Sequence, residues 1–535
     1  MAWAVNTGDG KCRFRCLMGS IVLKLGGPVI AQEQDWKQYV FSLLLLNGLM
    51  FFVITVILWL QQFLPLNPDA KGPLSVSLIF HTASSFVTNT NQQHYSGEMS
   101  MSYFSQIFGM MWLQFVSAAT GIASLAALAR GLSGKTKVGN FYRDLLSVTF
   151  LILLPLAFVE ALLLVLGGVP MTLEGTVHAR TIEGAVQTIS RGPVAAFVAI
   201  KQLATNGGGF FGANSAHPFE NPSFLTNMVE CVSILLIPMG CVWMFGRITH
   251  RMRHAAIVFA VMVTLLVAQV GLAGYFESAP AVALAGLPTT DTLNWEGKEL
   301  RFGFAASAAW AAFTTATSNG SVNCMHDSLN PLTGLVLLVG MWLNVAFGGV
   351  GVGFINMFIY IIVGVFICGM MVGRTPEYLT RKVETREMKL ALLALLVHPL
   401  LILGGTAFFA VTSLGREAVL NPGSHGFTEI LYEFTSAAAN NGSGFEGLGD
   451  NTPAWNAATG AIMLVSRFVP IILPLAIAGS LATKKPTPET TGTFRTDTVM
   501  FGFVLLGTVI FLGALMFFPV AVLGPVAEHL LTKGN

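Results

Sequence analysis

Ten apolar runs restrict this chain more than any other feature, because each is close to the length that crosses a hydrocarbon core. They lie near 39–61, 104–129, 144–167, 224–246, 255–275, 332–347, 354–372, 388–412, 455–482 and 498–521. A helix needs about 20 such residues to span the bilayer. Composition agrees: 53% of the 535 residues are hydrophobic, only 10% are charged, and the mean hydropathy is +0.67. A soluble surface on a chain this long needs far more charge, so the expected class is an all-α integral membrane protein in a lipid bilayer. A net charge of +2 gives no broad basic face for nucleic acid. The segment 1–38 is polar. Its stretch from Ile21 to Ala31 is too short to span and is interrupted by Lys24, Gly26, Gly27 and Pro28, so neither a signal peptide nor a spanning helix is expected before residue 39.

Two of the runs, 332–347 and 354–372, are separated only by Gly348–Gly353. Glycines unwind a helix, so the pair reads as one long helix broken at membrane depth, where irregular backbone survives only against protein or a water-filled cavity. Lys and Arg fall in alternate connections: Arg130, Lys135, Lys137 and Arg143; Arg247, Arg251 and Arg253; Arg374, Arg381, Lys382, Arg386 and Lys389; Lys484, Lys485 and Arg495. The positive-inside rule places these in the cytoplasm and the intervening loops, with sparse cations such as Lys71 and Arg416, outside.

Those outer loops repeat. Four times an apolar span is followed by a semi-apolar segment of about a dozen residues, too short to cross a bilayer, then by a polar cluster, then by another span. The sequences are SLIFHTASSF before VTNTNQQ, GPVAAFVAIKQLA before TNGGGFF, RFGFAASAAWAAFTTA before TSNGS, and GFTEILYEFTSAA before ANNGS. The repeat divides the chain into membrane–pore–membrane units at 39–130, 143–246, 255–372 (the broken second helix included) and 388–482, followed by a C-terminal helix and tail at 498–535. Internal repetition on this scale is a mark of pseudo-symmetric transporters and channels. The clusters suit a carbonyl-lined filter for a dehydrated monovalent cation, potassium by that chemistry. Aiming successive carbonyls at one axis needs residues at φ > 0, which glycine adopts freely and Asn next most easily. The clusters hold no carboxylate, which argues against an acid-ring filter for divalent ions. The pore segments expected between spans would point their partially negative C-terminal ends at the ion.

From about Trp36 to the C-terminus the chain resembles the potassium-binding subunits of bacterial Kdp potassium-importing ATPases (KdpA). The resemblance is carried by SFVTNTN, TNGGGFFGANSAHPFENP, MHDS, GRTPEYL, REMKLA, NPGSHGF, NNGS and GPVAEHL, the run Thr205–Pro222 being the most specific. It implies a potassium-channel-like fold in one chain, in a bacterial inner membrane with the pore loops facing out. It also implies a division of labour. This chain binds the transported potassium ion, has no nucleotide site and is non-catalytic. A P-type ATPase subunit (KdpB) receives the ion through an intramembrane tunnel and hydrolyses ATP, with a small subunit (KdpC) and further small membrane subunits beside it. The filter positions carry over to Thr88, Asn89, Thr90, Asn91 and Gln93; to Thr205, Asn206, Gly207 and Gly208; to Ser318, Asn319 and Gly320; and to Asn440, Asn441 and Gly442. Arg467, mid-span between Ser466 and Phe468, matches an arginine of the family and is read as a fixed charge below the filter that directs the ion sideways; a structural anchor for carbonyls of the broken helix is its alternative. Asn344 stands where the family generally has Glu before FGGVG, and Gln92 where it commonly has Trp. The family's usual first helix is replaced by residues 1–35.

Other motifs lead elsewhere. Ala129-x4-Gly134-Lys135-Thr136 fits a loose phosphate-loop pattern but follows a membrane helix, with no acidic magnesium partner on a second strand. The six cysteines (12, 16, 231, 241, 324 and 368) lack ligand spacing. A metal enzyme using His217, His326 and His398 lacks any shared short spacing. Glu160, Glu230 and His398 in or near spans suit helix packing at least as well as ion handling. A Trk/Ktr-type transporter gated by a cytoplasmic protein shares the fourfold plan, but Thr205–Pro222 favours the Kdp family.

Overall fold

The computed structural model describes residues 1–5, 27–280, 293–371, 373, 375–488 and 495–533. Cys12, Cys16, Arg374 and most of the N-terminal polar segment lie outside the described residues. Among the described residues, nine helices are long and apolar enough to cross a membrane: Trp36–Phe63, Ser105–Leu132, Phe141–Leu166, Phe224–Ile248, Met252–Glu277, Val352–Met371, Thr385–Val411, Pro453–Thr483 and Val499–Leu531. The chain is thus a multi-pass membrane protein. Local chemistry sets the helix starts. Asp35 accepts from Lys37 and Gln38 while Gln38 reaches back, a capping box repeated by Ser223 with Thr226.

The sixth run, 332–347, departs from its expected limits. It forms only Pro331–Leu343, 13 residues or about 20 Å of helix, because Asn344 turns left-handed at φ 48° and ends it. The unwound stretch therefore opens at Asn344, not at Gly348. It closes at Val352, where Val352–Met371 begins. The break expected from the glycines is present but starts four residues earlier.

Four shorter helices, Val76–Val87, Val194–Leu203, Gly303–Ala316 and Ser424–Ala439, precede the four polar clusters. The helices around them differ in surroundings. Ser105–Leu132 and Val352–Met371 are mostly buried, whereas Trp36–Phe63 and Val499–Leu531 are mostly uncovered by the rest of the chain. The first two form the centre of the molecule; the others turn Phe41, Phe52, Phe511 and Phe518 outward. In lipid, helices associate through close packing and not through apolar burial. Here Gly121 of the central helix lies so close to Val350 and Gly351 of the unwound stretch that a Cβ on either glycine would meet backbone carbonyl. At the end of the central helix that carries the basic connection, Arg130 forks onto Asp144 at 2.6 and 2.9 Å, and Tyr39 donates to the same carboxylate at 3.0 Å. This ties the first repeat to the second.

Candidate ion site

Each pore helix ends in the same backbone figure. Two residues with positive φ alternate with one of ordinary φ: Asn89 (65°) and Asn91 (53°), Thr205 (46°) and Gly207 (76°), Ser318 (49°) and Gly320 (90°), Asn440 (52°) and Gly442 (103°). The amides between them turn back to one carbonyl of their own helix. Thr90 and Asn91 bond Ser85, Asn206 and Gly207 bond Lys201, Asn319 bonds Thr314 and Asn441 bonds Ser436, all at 2.9–3.2 Å. These bonds hold the loop N–H groups toward the helix, while Thr205 O accepts from Asn89 and Gly207 O from Asn214.

The four loops close on one another in sequence order. A Cβ on Gly207 would collide with the Asn319 carbonyl, one on Gly320 with the Asn441 carbonyl, and one on Gly442 with the Thr90 carbonyl. The fourth contact of the ring is made by the first loop, where Asn91 takes the glycine's place and lies against Gly208. Side chains stitch the same joints. Asn319 donates to Lys201 O (3.2 Å), Asn441 to Thr314 O (2.9 Å) and Asn440 to Thr90 Oγ1 (2.9 Å). Asn206 donates to Asn89 Oδ1 (2.8 Å), and Asn89 donates to Thr205 O (2.8 Å). The pattern is less regular at the first loop because Thr90 stands where the others carry Asn. Its hydroxyl pairs with that of Thr88 at 2.7 Å instead. The predicted filter residues are therefore brought together, all of them buried except the half-buried Gln93 and Gly442. The Gln93 side chain is committed to the second loop, accepting from Gly209 N (2.8 Å) and donating to Gly209 O (3.1 Å).

Behind the second loop lies a brace that sequence reading did not assign. Lys201 is fully buried and pairs with Glu220; it also donates to Asn214 Oδ1 at 2.6 Å. Asn214 in turn donates to the Gly207 carbonyl at 2.7 Å, and Glu220 accepts from Phe211 N at 2.8 Å. The HPFENP run thus supplies a counter-charge that positions the Gly207 carbonyl. A lysine six residues before the first glycine of the Gly-rich stretch, with an acid further on, was the available signal.

Beneath the ring sits a cavity of about 50 Å³ bordered by Asn89, Ser318, Asn344, Gly349, Asn440 and Arg467, room for a few waters or a small ion. The unwound stretch forms its floor and is bonded to three of the loops: Val350 N to Thr205 Oγ1 (3.0 Å), Ser318 Oγ to Asn344 Oδ1 (2.8 Å), Gly349 N to Thr317 O (2.5 Å) and Asn344 Nδ2 to Ala439 O (3.1 Å). Arg467 is buried, donates to Ser117 O at 3.2 Å, and among the described residues has no carboxylate in ion-pair contact. The remaining candidates occupy separate places. His217 stacks on Phe211, His326 bonds Tyr432 and His398 bonds Met341 O. Ala129 is helical and Gly134–Lys135 lies in the turn that follows.

A ring of four loops set among membrane helices and against a broken helix gives the chain a channel-like membrane architecture. Residues 7–530 match the family described as potassium-transporting ATPase A subunit, KdpA. The chain is 48% identical over 524 residues to the potassium-transporting ATPase potassium-binding subunit of Geobacillus kaustophilus (strain HTA426), covering 97% of this chain and 93% of that one. In fold it is similar to the potassium transporter TrkH from Vibrio parahaemolyticus (TM-score 0.55, 14% identity, 82% of this chain and 84% of that one). The chain belongs to the KdpA family and is the potassium-binding subunit of a potassium-transporting ATPase. The likeness to TrkH is one of architecture alone.

Proposed function

We propose that the four loops are the potassium-selective filter of this subunit, and that the ion leaves it sideways toward an ATP-hydrolysing partner. One observation carries the reading: the same positive-φ figure recurs at four positions that contact one another in a ring. Alternating left-handed residues turn successive carbonyls to one side, and converging carbonyls replace the hydration shell of potassium. The ion-facing oxygens come from Thr88, Asn89, Thr90 and Asn91; Thr205, Asn206, Gly207 and Gly208; Ser318, Asn319 and Gly320; and Asn440, Asn441 and Gly442, while Gln93 braces. The filter opens to the extracytoplasmic face of a bacterial inner membrane.

Below it, Arg467 is a fixed positive charge in a confined cavity. A charge held inside a membrane without a partner carboxylate is costly and marks an ion pathway. It raises the energy of a cation continuing straight down, and the stitched stretch Asn344–Gly351 obstructs the same path. The remaining route is lateral, past Asn344, into a tunnel toward a P-type ATPase chain of the KdpB kind, with a KdpC-like subunit and small membrane subunits completing the complex. The test is potassium uptake at micromolar concentration in a transport-deficient bacterium, with and without the ATPase subunit. Uptake is expected only with it; uptake by this chain alone refutes the pump reading.

A further inference from the structure

A second cluster of ligand-type atoms lies at the wall between the first and fourth loops. His94 directly follows Gln93, Glu433 belongs to the fourth pore helix, and Asp450 follows the fourth loop. His94 Nε2 lies 3.0 Å from Glu433 Oε1 and 3.6 Å from Asp450 Oδ2, and one ligand atom from each of the three residues falls within 4.8 Å of the others. The tautomer is set from behind. Asn456 Nδ2 faces Asn451 Oδ1 (3.1 Å) and Ser77 Oγ (3.3 Å), so its Oδ1 is the acceptor that meets His94 Nδ1 at 2.7 Å. Nδ1 therefore carries hydrogen, and Nε2 faces two carboxylates. A bare lone pair there would be repelled, so a positive centre belongs at that point, either a proton or a metal ion. His81 stacks on the ring at 3.7 Å and 21°, which restrains its rotation.

We propose that His94, Glu433 and Asp450 form a site for a divalent metal ion of the zinc class. Ligand bonds of about 2.0–2.2 Å in a tetrahedron place ligand atoms roughly 3.4 Å apart, and the two distances above bracket that value. Asn456 is the outer partner that orients a ligating imidazole. The His94 and Glu433 side chains are 1% and 2% exposed but that of Asp450 is 25% exposed, which gives an access route and a corner for water. The similar group around His425 is committed otherwise. Its two ring nitrogens meet Asp327 and Glu528, and Glu429 is occupied by Leu420 N, Asn421 N and Asn421 Nδ2.

A metal here would clamp the first loop to the fourth and slow potassium entry, a consequence that rests on the filter reading. The binding test does not. Co²⁺ is titrated as a zinc surrogate into the full complex, following its visible d–d band, with wild type, Asp450→Asn and Asp450→His compared. Wild type and Asp450→His should give a band displaced by Zn²⁺, and Asp450→Asn should bind at least about tenfold more weakly, the scale on which lost metal-site partners act. No band, or equal affinity in wild type and Asp450→Asn, overturns the site. Zn²⁺ should also slow uptake in wild type more than in Asp450→Asn; equal uptake despite Co²⁺ binding overturns the clamp and leaves the site standing.

Discussion

Gly320→Ala tests the ring at the joint where backbone meets backbone. Gly320 sits at φ 90°, and a Cβ there would collide with the Asn441 carbonyl oxygen, lying 2.8 Å from its carbon and 3.1 Å from Gly442 Cα. The left-handed backbone alone costs a side chain about 1–2 kcal/mol, and forcing a methyl into a packed site typically adds about 1–3 kcal/mol. Neither neighbour can swing away, because the Asn441 amide is held by Ser436 and its side chain by Thr314. If about 2 kcal/mol of this falls on the ion-bound ring, potassium affinity drops roughly thirtyfold, and discrimination against rubidium falls with it. Isothermal titration of potassium and rubidium into the purified complex measures both. Gly271→Ala is the control, since its Cβ would meet nothing within 4 Å. If Gly320→Ala binds both ions as Gly271→Ala does, the packing argument is wrong.

Three further outcomes follow from the same geometry. Glu220→Gln strands the fully buried Lys201, and removing one partner of a buried pair costs about 3–5 kcal/mol; thermal unfolding should shift down clearly, and an unchanged midpoint would show that the pair does not brace the second loop. Burial alone would lower the pKa of His425, but the hydrogen bonds and negative charge of Asp327 and Glu528 together outweigh burial and raise it from 6.5 to about 10. Its contribution is complete below pH 6.5 and is lost as pH rises through about 10, so amide exchange of Ala527–Lys533 should quicken there in wild type but not in Glu528→Gln; a flat wild-type profile refutes the linkage. Arg467→Gln removes the fixed charge below the ring and should weaken coupling of ATP hydrolysis to uptake while leaving the filter folded; unaltered coupling would reduce Arg467 to an anchor.

Most of the architecture was legible because membrane solvent imposes blunt rules. Apolar length marks the spans, and short semi-apolar segments before Asn/Gly clusters mark the pore helices. The positive-φ requirement was legible in part: Asn89, Asn91, Gly207, Gly320, Asn440 and Gly442 are the residue types that backbone favours, whereas Thr205 and Ser318 adopt it without that signal. Three things were not legible. The helix ending at Asn344 looked four residues longer, because Val345, Ala346 and Phe347 are apolar enough to continue a span and only the hydrogen bonds of Asn344 to the third and fourth loops reveal the turn. The brace of Lys201, Asn214 and Glu220 was hidden because its members are separated by loop residues and meet only once the second loop folds. His94, Glu433 and Asp450 come from distant parts of the chain and share no spacing.

Selectivity and the lateral route both depend on potassium being held where the four loops meet. The most direct measurement is anomalous scattering or difference density from rubidium or thallium substituted for potassium in the intact complex. Ion density is expected on the axis bounded by Thr90, Asn206, Asn319 and Asn441, and should be absent in Gly320→Ala at the same ion concentration. Density confined to any other part of the subunit, with the ring empty, would contradict this placement.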